Sequence, residues 1–158
     1  MAITTNSIYF IIFLLLLLFH SSYSSYINVE SFGAKPDGQS DSTTSFRKAW
    51  WLACRSEEET TIYVPQGMFL VRPVTFDGPC RKKVDFRIDG TIVAPREYLS
   101  LGNSGYWLLF RKLNGLSVYG EGTLDARGSL YWDCKKTHKN CPPGARVSSL
   151  TWPVYICL

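Results

Sequence analysis

Apolar residues change their spacing twice along the chain, and each change marks a different kind of segment. Ile8 to Phe19 reads IYFIIFLLLLLF, an unbroken apolar run, and the polar stretch SSYSS follows it. The run is long enough for the h-region of a secretory signal peptide but short of the ~20 residues a membrane-spanning helix requires. Ser22 and Ser24 stand two apart, like the small residues of a cleavage site, although no Lys or Arg precedes the run. Residues 1–24 are therefore expected to be removed, with an uncleaved anchor as the alternative. From Ser42 to Cys54 the spacing becomes helical: Phe46, Ala49, Trp50 and Ala53 recur at i, i+3, i+4 and i+7, and Asp41 or Ser42 can cap the start. Beyond Cys54 come short apolar or alternating runs, at Ile62–Val64, Met68–Val71, Val84–Ile88, Thr91–Val93, Trp107–Phe110 and Leu116–Tyr119. These predict strands. Turn signals separate them, among them Pro65-Gln-Gly67, Asp89-Gly90, Asn114-Gly115 and Gly120-Glu-Gly122.

The strands contain a repeat. Phe86-Arg-Ile-Asp-Gly-Thr-Ile-Val-Ala94 aligns without a gap on Val118-Tyr-Gly-Glu-Gly-Thr-Leu-Asp-Ala126, at an offset of 122 − 90 = 32 along the sequence. A period of this size, in short strands without intervening helices, predicts a stacked β-solenoid in which each unit buries its apolar face against the next. The first coil of a solenoid has an open edge of unpaired backbone groups that must be covered. The single amphipathic helix fits as that cover, which makes Trp50 and Trp51 packing residues, with sugar stacking as the lesser reading.

Removal of residues 1–24 leaves a chain within the range of about 100 to 200 residues that one domain usually occupies. Lys and Arg number 17 against 13 Asp and Glu, a net +4 that lies wholly after Ser24 and suits an acidic partner. The densest basic run, Arg81-Lys82-Lys83, follows Gly78-Pro79 and reads as a solvated turn. Export would place Cys54, Cys80, Cys134, Cys141 and Cys157 where disulfides persist. Proximity pairs Cys54 with Cys80 and Cys134 with Cys141, and leaves Cys157 over; four cysteines allow three connectivities, so the others stay open. No Cys/His spacing points to zinc, and His138 in the lysine-rich loop KKTHKN reads as solvated.

A series of motifs then gives the chain a family likeness. Asn28-Val-Glu-Ser-Phe-Gly-Ala34, Asp37-Gly38, Asp41-Ser42 and Phe46 resemble the opening of plant polygalacturonases, the glycosidases that hydrolyse pectin. Thr61-Ile-Tyr-Val-Pro65, Gly67, Gly78-Pro-Cys80, Ile88 to Pro95, Trp107-Leu-Leu-Phe110, Gly122-Thr-Leu-Asp125 and, more loosely, Tyr131-Trp-Asp-Cys134 follow in the family's order. The resemblance covers about Tyr26 to Thr151. It implies an all-β fold, a right-handed parallel β-helix that is incomplete here and capped by the amino-terminal helix. It also implies inverting hydrolysis of α-1,4 galacturonosyl bonds. The implied protein is a secreted, cell-wall monomer that meets polygalacturonate, with no cofactor, no metal, no nucleic-acid partner and no membrane association after signal cleavage.

Inversion needs one carboxylic acid to protonate the leaving oxygen and one carboxylate to activate water, about 6.5–9.5 Å apart. The family assembles them from an Asn-Thr-Asp, an Asp-Asp, a Gly-His-Gly and an Arg-Ile-Lys segment, none of which occurs in this sequence. By the same resemblance Asp37, Asp41, Asp77, Asp85, Asp89, Asp125 and Asp133 hold structural or non-catalytic positions. The expected catalytic set is therefore empty. Three segments follow: 1–24 a signal peptide, 25–151 the start of a polygalacturonase-like β-helix, and 152–158 a divergent tail, TrpProValTyrIleCysLeu, expected to leave the last coil's edge open. The expected function is pectin hydrolysis by the complete enzyme and none by this chain. The alternatives are a secreted pectin-binding module without catalysis and an unstable product.

Overall fold

The computed structural model describes residues 25–97 and 106–129, the single residues Tyr9 and Lys136, and the backbone of Val154–Ile156. Its strands are β1 (Ser25–Asn28), β2 (Asp37–Asp41), β3 (Thr60–Val64), β4 (Met68–Leu70), β5 (Val74–Asp77), β6 (Val84–Ile88), β7 (Thr91–Val93), β8 (Leu108–Arg111), β9 (Leu116–Tyr119), β10 (Thr123–Asp125) and β11 (Val154–Ile156). A 3-10 turn at Val29–Phe32 follows β1, and helix α1 (Thr43–Arg55) lies between β2 and β3. The strands form three sheets, in the orders β1-β3-β6-β9, β2-β4-β7-β10 and β5-β8-β11. Successive coils of chain visit the sheets in turn and every pairing among β1 to β10 is parallel. This is a parallel β-helix.

The repeat in the sequence is the coil-to-coil register. Val84 pairs with Leu116 and Thr91 with Thr123, offsets of 116 − 84 = 32 and 123 − 91 = 32. The period is not constant, however. One coil earlier Thr60 pairs with Val84 and Met68 with Thr91, offsets of 84 − 60 = 24 and 91 − 68 = 23, because the turns between strands differ in length. The Gly-Thr shared by the two copies marks the corner between the first two sheets. The Thr91 N–H donates to Gly67 O (2.7 Å) and the Thr123 N–H to Gly90 O (2.9 Å). A Cβ on Gly90 would stand 2.0 Å from Pro65 O, and one on Gly122 would stand 2.1 Å from Gly90 O. Only glycine lets the backbones approach this closely.

Helix α1 takes the place of a third strand in the first coil. Topologically it falls where β5 and β8 fall in the next two coils, and it packs against β5, β3 and the 3-10 turn. Both predicted caps take part: Ser42 holds the N-cap position with its hydroxyl turned to accept the Lys35 N–H at 3.1 Å, and the side-chain bond comes from Asp41, whose Oδ1 accepts the Thr43 N–H at 2.9 Å. Phe46, Ala49, Trp50 and Ala53 are buried as their spacing predicted. Trp50 sits in an aromatic cluster with Phe76, Phe86 and Phe110, its ring centroid 5.2 to 6.0 Å from theirs. Phe76 and Phe110 are register partners on β5 and β8 and stack at 4.9 Å. The Trp50 indole N–H donates to Asp77 O (3.0 Å), a carbonyl at the end of β5 that has no coil above it. The disulfide Cys54–Cys80 ties the end of α1 to the segment after β5. Trp51 departs from the expectation of packing. It is 57% exposed, on the outer side of the helix under the Arg55 guanidinium (4.3 Å), because position i+1 faces about 100° away from Trp50.

Sequence patterning missed β1, β2, β5, β10 and β11. β2 is DGQSD and has no apolar residue; its pairing with β4 is a backbone matter, with a register shift between Asp37 and Asp41. β5 buries only Val74 and Phe76, too short an alternation to stand out. The tail does not leave the third sheet open: β11 pairs antiparallel with β8, Val154 opposite Phe110 and Ile156 opposite Leu108. That occupies the edge where a further parallel strand would add.

The two tryptophans should separate in a stability measurement. Trp50→Ala removes a buried ring and is expected to cost about 3–5 kcal/mol, whereas Trp51→Ala is expected to fall within about 0.5 kcal/mol. Urea unfolding followed by circular dichroism measures both, and similar losses would contradict the assigned burial.

Candidate functional site

Carboxylates are the groups a glycosidase would use, so their partners decide what this part of the chain can do. Among the described residues each aspartate is engaged. Asp37 accepts the Gln39 and Ser40 N–H groups (2.8 and 2.7 Å) and the Ser40 hydroxyl (2.7 Å). The Ser40 hydroxyl first, and then the two N–H groups, hold its pKa down to about 2 from an ordinary 3.8. Asp41 caps α1 and pairs with Arg72 at 3.0 Å. Burial alone would raise its pKa, but the Thr43 hydroxyl and N–H together with Arg72 outweigh it and leave it lowered. Both shifts run opposite to the raised carboxyl a general acid needs.

The other described aspartates are engaged as well. Asp77 pairs with Arg111 across the third sheet, Oδ2 to Nη2 at 3.1 Å. Asp85 meets Lys83, whose Nζ lies 3.0 Å from Oδ1 but is aligned for a hydrogen bond to Oδ2 at 3.2 Å. Asp89 pairs with Arg87 at 2.9 Å, and Asp125 accepts the Arg127 N–H at 2.9 Å. Asp133 lies outside the described residues, as do His138, Cys134, Cys141 and Cys157. No group of three His, Cys, Asp or Glu among the described residues is placed to hold a metal ion. In the basic run at 81–83, Arg81 pairs with Glu57 and Lys83 with Asp85, so two of its three charges are neutralised locally.

Three surface features remain. On the outer face of the first sheet, Tyr63, Arg87 and Tyr119 are register partners on β3, β6 and β9. Tyr26 packs on Tyr63 (5.0 Å between centroids) and Arg87 lies over the same ring (5.5 Å). The charges of this face cancel, Lys83 with Asp85 and Arg87 with Asp89. A groove of about 670 Å³ runs along α1 between Trp51, Leu52, Arg55 and Asp77. The third feature is a cleft of about 180 Å³ at the corner after the second sheet, lined by Gln39, Arg72, Pro95, Arg96, Glu97 and Arg127 among others. It gathers three arginines and Glu97, and Asp41 pairs with Arg72 at its edge, which leaves 3 − 2 = +1. Sequence reading passed these arginines over, since they stand at offsets of 96 − 72 = 24 and 127 − 96 = 31 along the chain. The coil offsets of the second sheet are 93 − 70 = 23 and 125 − 93 = 32, each one residue from the arginine offsets, so the grouping is visible only once the coils are aligned.

Comparison with known proteins places the fold and the motifs together. The family model described as Glycosyl hydrolases family 28 matches residues 54–149, and one described as Rhamnogalacturonase A/epimerase, pectate lyase-like matches residues 26–77. The chain belongs to glycosyl hydrolase family 28. Its relatives are plant polygalacturonases: one from Prunus persica is 48% identical over 120 residues, spanning 75% of this chain and 30% of that protein. Another from Malus domestica is 38% identical over 117 residues, 74% of this chain and 25% of that protein. The chain thus spans less than a third of the length of these relatives. Among solved structures, a hyperthermoactive exopolygalacturonase from Thermotoga maritima shares the fold with a TM-score of 0.59 and 20% identity, over 75% of this chain and 30% of that one.

The lowered carboxyl of Asp37 gives a direct test of the turn that opens β2. In the folded chain its ionised form is favoured, so the turn's contribution is full above the unfolded value of 3.8 and is lost as pH falls through about 2. An NMR titration should place the Asp37 midpoint near 2, and Ser40→Ala should move it up. A midpoint unchanged by Ser40→Ala would remove the hydroxyl as the main cause.

Proposed function

We propose that this chain is the amino-terminal, capped portion of a polygalacturonase, exported to the plant cell wall, and that pectin hydrolysis is the activity of the complete protein. Family membership over residues 54–149 is the observation that carries the proposal. Relatives with the printed name polygalacturonase match three-quarters of the chain while extending well beyond the matched stretch. On a parallel β-helix, strands of neighbouring coils stand ~4.8 Å apart, so two coils supply the spacing an inverting acid and base require. The Asn-Thr-Asp, Asp-Asp, Gly-His-Gly and Arg-Ile-Lys segments that carry this chemistry in the family are not in these 158 residues. The described aspartates are committed to caps, turns and ion pairs.

These residues alone therefore bind the fold together and do not cleave. General acid–base help contributes typically 10²- to 10⁴-fold, and with both partners missing the reaction is left near its uncatalysed rate. Purified chain incubated with polygalacturonate is expected to release no reducing ends; specific release by a homogeneous sample would refute the proposal. The transcript downstream of Leu158 is expected to encode the four segments.

Export is the second half of the proposal. The apolar run before Ser24 has the length of a signal h-region. The Cys54–Cys80 disulfide suits an oxidising compartment. Amino-terminal sequencing of chain secreted from a plant or yeast host is expected to begin at about Ser25, and a start at Met1 would count against it.

A further inference from the structure

The arginine cleft lies at one corner of the solenoid, where three successive coils each contribute one arginine to its lining. Leu70, Val93 and Asp125 are register equivalents in three successive coils. Arg72 and Arg127 each follow this row by two positions and Arg96 by three. The stacking continues past the strand ends, with Val71 N–H donating to Val93 O (3.0 Å) and Ala94 N–H to Asp125 O (2.9 Å). The row two positions on is Arg72, Pro95 and Arg127, so coils spaced about 4.8 Å apart set Arg72 and Arg127 two steps from each other, with Arg96 one residue past the row on the coil between them. Arg72 shares its guanidinium with Asp41. Arg96 and Arg127 have no ion-pair partner among the described residues. Arg127 is also held at φ 53°, a conformation uncommon for a residue with a side chain, by its N–H bond to Asp125. The cleft's volume is that of about six waters, which is on the scale of one sugar ring.

We propose that Arg72, Arg96 and Arg127 form a non-catalytic subsite that grips carboxylates of an acidic polysaccharide, a polyuronate, laid along the solenoid axis. The proposal rests on the reading of this chain as part of a polygalacturonase, and adds to it a place where the polymer is held. Guanidinium is the side chain suited to the task, since its planar fork matches a carboxylate with two parallel hydrogen bonds. Each exposed pair is weak and salt-screened. Affinity therefore comes from contacts made together on one polymer, and a single uronic acid binds poorly. Pro95, buried beneath the cleft, and Gln39 beside it supply an apolar floor and a neutral donor for the ring and its hydroxyls.

The test uses the full exported chain on immobilised polygalacturonate, with fully methyl-esterified pectin and dextran sulfate as comparison matrices. Retention at low salt on polygalacturonate is expected, with elution well before about 1 M salt, where the screening length is about 3 Å. No retention is expected on the esterified polymer, and weaker retention on dextran sulfate. Arg96→Gln/Arg127→Gln is expected to weaken binding of a long oligogalacturonide about tenfold or more, a shift of at least one decade in Kd, while Arg81→Gln leaves it unchanged. Thermal unfolding of each variant checks the fold; if the Arg127 substitution unfolds the chain, Arg72→Gln/Arg96→Gln carries the same expectation. Equal binding by wild type and a folded double variant, equal retention on the esterified polymer, or dextran sulfate holding the chain as tightly as polygalacturonate would each overturn the subsite. Release of reducing ends by the chain would defeat the proposed function and leave retention of intact polymer standing. Absence of retention without hydrolysis would defeat the subsite alone.

Discussion

Parallel stacking of coils is the constraint from which the rest of this structure follows. Each coil hydrogen-bonds only to the coils above and below, and equivalent residues fall on top of one another at the strand spacing of about 4.8 Å. Like must therefore stack on like. Phe76 lies on Phe110 in the third sheet, Ile62 on Phe86 in the first, and Phe69 on Ile92 in the second. Where the chain turns a corner, stacking leaves no room for a side chain at all, as at Gly90 and Gly122. The interior is one continuous cluster because every coil contributes to the same three columns.

The same constraint creates the problem at the ends. A coil with nothing above it presents unpaired carbonyls and an uncovered apolar face, and α1 answers both needs at the third sheet. Trp50 extends the internal aromatic cluster by one member and gives its indole N–H to the unpaired Asp77 carbonyl. The disulfide from Cys54 to Cys80 holds the helix end over the edge it covers. Asp41 links this cap to the surface chemistry, because one carboxylate both accepts the first helical N–H and pairs with Arg72 at the arginine cleft. At the opposite end β11 runs antiparallel on β8, a pairing that closes the third sheet where a parallel strand would extend it.

Stacking also governs what the outside can do. A residue type repeated at the coil period becomes a column on the surface, with a spacing fixed by the backbone. Tyr63, Arg87 and Tyr119 stand in register on the first sheet, and the cleft draws Arg72, Arg96 and Arg127 from three successive coils. They differ in charge balance. The cations of the first are matched by Asp85 and Asp89, whereas two of the arginines in the second have no ion-pair partner among the described residues. Neighbouring coils can in this way present an ordered array of groups to an extended polymer.

The sequence alone determined the class of fold, the single helix and its buried face, six of the strands, and the family. These depend on local periodicity and on motifs in order, which neighbouring residues carry by themselves. It also placed the corner glycines, because the Gly-Thr pair recurs at an offset that the backbone pairing reproduces on each of two sheets. Only the tertiary structure decided the rest. β2 has no apolar residue and exists because β4 lies beside it. Trp50 and Trp51 are adjacent and alike in type, yet the helix turns one into the core and the other out to Arg55. The arginines of the cleft lie far apart along the chain at unequal offsets, and variable turn lengths hide their alignment until the coils are stacked. Spacing along the chain is local information, whereas adjacency between coils depends on the length of every turn between them.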